Sequence, residues 1–428
     1  MQDVDRPRRH GRAGRSATMA EALDAIPDGS RVFLSGGSAA PVAIDRAMAD
    51  EPDRWTALDL VCDRLVAPFA VFDHPGRPFR LISLQPSPAV DAMRAAGALV
   101  DHPVPFSTFA SMTGPAGPWP IDVAVIHVSS PGPEGRFSLG VSVATPVSQL
   151  PAAGLVIAQV NPAMPYSFGG GELDRDEIDL LVEAEHPLVE SPRAEPDDVA
   201  RRIGSTVAEL IPDRATIQIG VGALADAVLE ALVDHRALGI HSGMISDGIV
   251  ELAASGAITG TDHPLFPGRL VAGLLGGTTR VFDFVDRNPD VVMVPTEVSH
   301  GLEVLTAIPR FHAVNSGVQV ALDGSVNGET IGDRVVSGPG GAPDYAAAAA
   351  RAPGGRFIVA LPATAARGRV SRIVPRLPEG APVTVDGDLV STVVTELGVA
   401  DLAGLPLADR AVALRAVADP ALARAAGI

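Results

Sequence analysis

"TIQIGVGALADAVLEAL", residues 216–232, is the stretch on which the fold of this chain turns. A short run rich in β-branched residues, Thr216 to Ile219, meets a turn with glycine at 220 and 222. An alanine- and leucine-rich segment of helical character follows. Strand, glycine turn, helix is the building unit of an α/β protein with a mainly parallel sheet. The same grammar stands earlier, where "RVFLSGG" (31–37) runs into "PVAIDRAMAD" (41–50). Two comparable openings, at residues 31 and 216, predict two similar α/β domains. "IDVAVIHVSS" (121–130) and "LVIAQVN" (155–161) read as further buried strands of the first.

Size supports the division. A chain of 428 residues exceeds what one ordinary core holds, since cores stop growing near ~250–300 residues. The acidic, proline-containing stretch "VEAEHPLVESPRAEPDDVA" (182–200) is the natural linker. The expected organisation is a disordered tail over 1–20, an N-terminal α/β domain over 21–200 and a C-terminal one over 201–428. The tail is polar and arginine-rich without an apolar core, so it is not a secretory signal.

Composition excludes several functions. With hydrophobic residues at 46% and charged residues at 20%, the chain is of globular type, and no apolar run is long enough for a membrane span. A net charge of −18 argues against nucleic acid, whose phosphates need a basic face. Any phosphate-bearing ligand must be held by local donors, backbone N–H groups or placed arginines. All basic residues are arginine; without lysine there is neither Schiff-base chemistry nor a P-loop lysine. The one cysteine, Cys62, lies in an apolar run and fits a buried thiol in a reducing cytoplasm. The ten histidines show no metal-binding spacing, so no metal is expected.

Three stretches are candidates for chemistry. The turn at Gly220, Val221, Gly222, Ala223 and Leu224 places backbone N–H groups at a helix start, a geometry that suits a pyrophosphate and also serves simple packing. "VVSGPGGAPDY" (335–345) is a second glycine loop, a tight turn or a place where a ligand approaches backbone. "LGIHSGMISDG" (238–248) offers His241, Ser242 and Asp247, but Ser242 touches Gly243 directly and the nucleophile-elbow spacing fails. His241 and Ser242 are neighbours on a predicted strand and point apart, so they cannot act as base and nucleophile.

Taken in order, these motifs resemble the acetyl-CoA hydrolase and CoA-transferase family, which includes acetate and hydroxybutyrate CoA-transferases. The resemblance runs from about residue 30 to the C-terminus. It is carried by "IDVAVIHVSSPGPEGRFSLGVSV" (121–143), "VNPAMP" (160–165), "TIQIGVGALADAVL" (216–229) and "LGIHSGMISDGIVELAASGAIT" (238–259). "VNSGVQVALDGSVNGETIG" (314–332), "SGPGGAPDY" (337–345) and "VVTELGVADLAGLPLADRA" (393–411) continue it. The resemblance implies two CoA-transferase-type (NagB/RpiA-like) α/β domains, an acyl-CoA substrate, a carboxylic acid acceptor and a homodimer. It places CoA along Gly220–Leu224 and along the loop of Ser337, Gly338, Gly340 and Gly341, and brings Asn315 to the site at a strand end.

In that family a glutamate attacks the acyl-CoA carbonyl, within a pattern close to H-T-E-M-x-x-D-G. Here the pattern reads His241, Ser242, Gly243, Met244, Asp247 and Gly248, so Gly243 occupies the nucleophile's position. A glycine forms no acyl intermediate. The expectation is direct thioester hydrolysis, with water entering the space left at Gly243 and His241 or Asp247 orienting or deprotonating it. Either residue also has a structural alternative: His241 as a strand-end hydrogen bonder, Asp247 as a helix N-cap. Two other readings stay open, transfer through a substitute carboxylate such as Glu297 or Glu172, and a non-catalytic acyl-CoA-binding protein.

Overall fold

Runs such as Val123–Val128 and Leu155–Val160 carry apolar side chains at most positions, the signature of strands covered on both faces. In the computed structural model they lie in parallel sheets. Residues 14–63, 69–76 and 78–425 are described. The chain divides into two units: residues 1–191 with 272–299, and residues 192–271 with 300–428. Relative to a single cut near residue 200, the difference is that 272–299 groups with the first unit.

The first unit is built on β1 (Arg15–Ser16), β2 (Arg31–Leu34), β3 (Leu58–Cys62), β4 (Phe79–Ser83), β5 (Leu99–Asp101), β6 (Val123–Val128), β7 (Leu155–Val160) and β8 (Leu180–Glu183). Their order is β1-β8-β7-β6-β2-β3-β4-β5, and every pairing is parallel. Helix α1 (Val42–Asp50) follows the "SGG" turn and buries Ile44 and Met48. The expected disordered tail needs correction. Residues 1–13 lie outside the described residues, but Arg15 and Ser16 form the edge strand β1 against Leu180 and Leu181, and Thr18 caps the next helix with a capping box.

The second unit repeats the scheme with β9 (Thr216–Ile219), β10 (Gly239–Ile245), β11 (Phe311–Asn315), β12 (Arg356–Ala360), β13 (Thr392–Thr395) and β14 (Gly398–Asp401). They run in the order β10-β9-β11-β12-β13-β14; all pair in parallel except the β13–β14 hairpin. The glycine turn after β9 feeds α2 (Ala223–Ala231), Ser246 links β10 to α3 (Asp247–Ala254), and the second glycine loop feeds α4 (Ala342–Ala349). Phe311, Phe357, Tyr345 and the alanines of α4 belong to one buried core. Residues 184–197, within the expected linker, have no regular secondary structure. In open parallel sheets ligands bind beyond the carboxyl ends of strands, and Gly220 after β9, Ser246 after β10 and Asn315 at the end of β11 stand at such ends.

Candidate active site

The first turn is shaped by backbone. Gly222 has φ +106° and ψ 175°, a region in essence reserved for glycine, and a Cβ there would meet nothing within 4 Å. No side chain caps α2, which leaves the N–H groups of its first turn without a side-chain acceptor, and Val221 beside them is 47% exposed. Gly220 donates to the Val314 carbonyl at 2.9 Å, and a Cβ on it would lie 3.6 Å from Asn315 Oδ1. Asn315 in turn donates to Gln218 Oε1 at 2.8 Å across the β9–β11 strand ends. The fold therefore brings Asn315 to the first glycine turn. Gln218, which sequence inspection passed over, orients it.

Arg193 ties α2 and α3 together. Its guanidinium lies 3.3 Å from Asp226, 2.9 Å from Glu230 and 3.4 Å from Glu251. Burial pushes the Asp226 carboxyl up, and Arg193 offsets that.

His241 is fully buried in β10, with Nδ1 3.0 Å from Nε2 of His263 and the two rings stacked. His263 Nδ1 accepts from the N–H groups of Leu265 and Phe266, so it carries no proton there and its Nε2–H donates to His241. Burial lowers His263 to about 4, which keeps the ring neutral. His241 Nδ1 is thus committed as an acceptor, the strand-end role. Ser242 donates its hydroxyl to the Met244 carbonyl at 2.8 Å and does not pair with His241. Ser246, not Asp247, is the residue preceding α3, and Asp247 is the first helical residue; the N-cap alternative for Asp247 is corrected accordingly.

Gly243 differs most from expectation. A Cβ built on it would stand 2.6 Å from Cε1 and Nε2 of His300 and 2.6 Å from the hydroxyl of Tyr345. No space waits there for water; the expected vacancy is filled by an imidazole and a phenol. Gly341, at the end of the second loop, meets the same pair, with a Cβ 2.7 Å from His300 Nε2 and from Tyr345 Cε2. The two rings lie 4.9 Å apart, centroid to centroid, at 37°. His300 is 4% exposed and Tyr345 2%. Burial drives His300 down to about 3, so it is neutral at physiological pH. Burial, then the charge of Asp344, pushes the Tyr345 phenol well up, while the Gly243 N–H donates to its oxygen. Gly340 holds φ +58° in the loop, and Ser337 turns its hydroxyl onto the Gly338 carbonyl.

Between β9, β10, α2 and α3 lies a small pocket with room for about one water, lined by Gly220, Val221, Ser242, Ser246 and apolar neighbours including Leu229 and Ile249. Both substitute carboxylates belong to the first unit. Glu172 accepts from Tyr166 at 2.8 Å and faces Arg136 at 3.6 Å, and Glu297 accepts from Ser148 at 3.1 Å. Among the described residues no group of three or more His, Cys, Asp or Glu side chains is placed to hold a metal, and no helix is long and apolar enough to cross a membrane.

Parallel α/β units with glycine turns at their strand ends define a broad class of α/β folds, in which the site and not the fold decides the ligand. Comparison with known proteins narrows it: residues 1–189 match the acetyl-CoA hydrolase/transferase N-terminal domain and residues 277–425 the C-terminal domain of the same family. The chain belongs to the acetyl-CoA hydrolase/transferase family. It is 44% identical over 301 residues to a 4-hydroxybutyrate coenzyme A transferase of Clostridium kluyveri, covering 70% of each chain. It is 32% identical to a succinyl-CoA:acetate/propanoyl-CoA:succinate CoA transferase of Fasciola hepatica, over 94% of this chain and 84% of that one. Among solved structures, RipA from Yersinia pestis superposes with a TM-score of 0.89 at 27% identity, over 96% of both chains. A 4-hydroxybutyrate CoA-transferase from Porphyromonas gingivalis gives 0.80 at 30% identity, again over 96% of both.

Proposed function

We propose that this protein binds acyl-CoA along Gly220–Leu224 and the Ser337–Gly341 loop and cleaves the thioester by direct hydrolysis, without an enzyme-bound glutamyl intermediate. The observation that carries this is Gly243. The residue at the motif's nucleophile position has no side chain, and His300 and Tyr345 fill the direction in which one would extend. In the first turn, the uncapped N–H groups of α2 supply donors for CoA phosphates that an acidic protein otherwise repels. Water attacks the thioester carbon, the C–S bond breaks, and the products are the free acid and CoA thiol. With His241 committed to His263, Asp247 is the remaining candidate to take the water's proton. Homodimerisation and a cytoplasmic location belong to the same proposal.

The test is release of free CoA from short-chain acyl-CoAs with and without acetate. Release without acetate supports hydrolysis. The printed names of the relatives favour a second reading, CoA transfer, which would show as a strict requirement for the acceptor. Binding without turnover would make the chain a non-catalytic acyl-CoA binder.

A further inference from the structure

In a chain of net charge −18, "ARGRVSRIVPR" (366–376) holds Arg367, Arg369, Arg372 and Arg376, and no aspartate or glutamate occurs from 364 to 378. Arg372 is the singular one. Among the described residues, five arginines have a buried Nε without a hydrogen bond: Arg31, Arg54, Arg136, Arg310 and Arg372. The first four lie against carboxylates, those of Asp59, Asp24 and Glu51, Glu172 and Asp174, and Asp262 in turn. Arg372 forms no ion pair. Glu396, whose charge it feels, turns a carboxyl oxygen to the Ala363 N–H at 2.8 Å instead. Burial pulls the Arg372 guanidinium below its ordinary value, with Glu396 opposing. Its side chain makes one protein hydrogen bond among the described residues, to the Gly317 carbonyl at 3.3 Å. A half-buried cation with spare donors and no counter-ion is costly unless an anion comes to it.

That position adjoins the first glycine turn. Gly317 stands two residues beyond Asn315, whose Oδ1 lies 3.6 Å from where a Cβ of Gly220 would be. The hairpin of Thr364–Ala365 with Val370–Ser371 leads into Arg372 and carries Arg367 and Arg369 at its exposed tip. Arg369 Nε donates to the Ala366 carbonyl at 2.9 Å, which leaves its terminal nitrogens for a ligand. Ala366 and Arg367 hold φ +50° and +60°, the one adjacent non-glycine pair in the left-handed region among the described residues, and such strain concentrates at ligand clamps.

We propose that Arg372 receives the 3′-phosphate of CoA, with Arg367 and Arg369 supplying positive field at the same hairpin. This rests on the acyl-CoA reading above, in which CoA phosphates meet the first-turn N–H groups of α2. In CoA a single ribose joins the 3′-phosphate to the diphosphate, so a receptor for it belongs beside that turn. The guanidinium fork meets two phosphate oxygens at once.

The probes are CoA and dephospho-CoA, which lacks only the 3′-phosphate, each titrated by calorimetry into the full chain. Wild type is expected to bind CoA about tenfold tighter or more, the effect of one charge-assisted pair. Arg372→Gln is expected to erase that preference, weakening CoA about tenfold while dephospho-CoA stays within about threefold. Equal wild-type affinities would overturn the subsite. So would an Arg372→Gln loss equal for both ligands, the result for a residue that only props Gly317. Should Arg372→Gln fail to fold, the exposed pair Arg367→Gln with Arg369→Gln carries the test: a narrowed preference supports the subsite and an unchanged one overturns it. Wild type that binds neither ligand would overturn the acyl-CoA reading and the subsite together. A holding preference without thioester hydrolysis supports the subsite and overturns the reaction alone.

Discussion

The backbone N–H of Gly243 donates to the phenol oxygen of Tyr345, and a Cβ on Gly243 would stand 2.6 Å from that same oxygen. One contact thus both holds the phenol and forbids a side chain at 243. Gly243→Glu alone is expected to fail as a restored transferase. Forcing atoms into a filled site costs about 1–3 kcal/mol or more. The variant should melt several degrees lower, show no acetate-dependent CoA transfer and yield no borohydride-trapped thioester. A single Gly243→Glu variant with wild-type stability and new transfer activity would contradict this packing.

Gly222 is constrained by conformation, not by space. At φ +106° with nothing near its Cβ, Gly222→Val meets no clash but must leave its backbone region, at a cost of about 1–3 kcal/mol. The first-turn donors of α2 move with it. CoA affinity measured by calorimetry should drop at least tenfold while the circular dichroism spectrum stays native. Unchanged affinity would remove this turn from the CoA site.

Buried neutral histidines set the acid stability. His127 and His300 are held at about 3 and His263 at about 4, each by desolvation, against about 6.5 in the unfolded chain. A depressed folded-state value contributes stability that is complete above 6.5 and lost as pH falls toward the folded value. For His263 alone the loss is on the order of 3 kcal/mol. Asp45, raised to about 6 by burial, works the other way, stabilising below its unfolded value and losing that as pH rises through 6. His312 is lowered by burial as well, while Asp226 and Glu329 are raised like Asp45; the large downward shifts of His127, His300 and His263 decide the sign, so the melting temperature should fall from pH 7 to pH 4.5, and His263→Gln should flatten the slope. A melting temperature that rises on acidification would contradict the assignment.

Cys62 is buried and its thiol is pushed well up by desolvation, then by the charges of Asp63 and Asp45. A thiol reagent should leave the native protein unlabelled at pH 7.5 and react with one equivalent after denaturation. Rapid native labelling would place Cys62 at the surface.

The strand–turn–helix grammar around Gly220 and Gly37 was readable because it is local: glycine spacing and β-branched runs act over a few residues. Gly243 was readable as an exception for the same reason, since a motif with one position changed is visible within eleven letters. What fills its space was not. Tyr345 and His300 both stand in short stretches that draw the eye for other reasons, a glycine loop and the end of "VPTEVSH". Only the tertiary path of β10 and α4 puts them on one point. The fixed tautomer of His241 was equally hidden, because it depends on two backbone N–H groups reaching His263.

The most direct measurement follows the oxygen. Acetyl-CoA is incubated with the protein in 18O-labelled water, and the acetate formed is analysed by mass spectrometry with and without added carboxylate acceptor. Direct hydrolysis predicts CoA release without acceptor, one 18O in each product acetate and no label in the protein. Release that depends on the acceptor, or 18O appearing in an enzyme carboxylate after turnover, would contradict it and return the chain to carboxylate-mediated transfer.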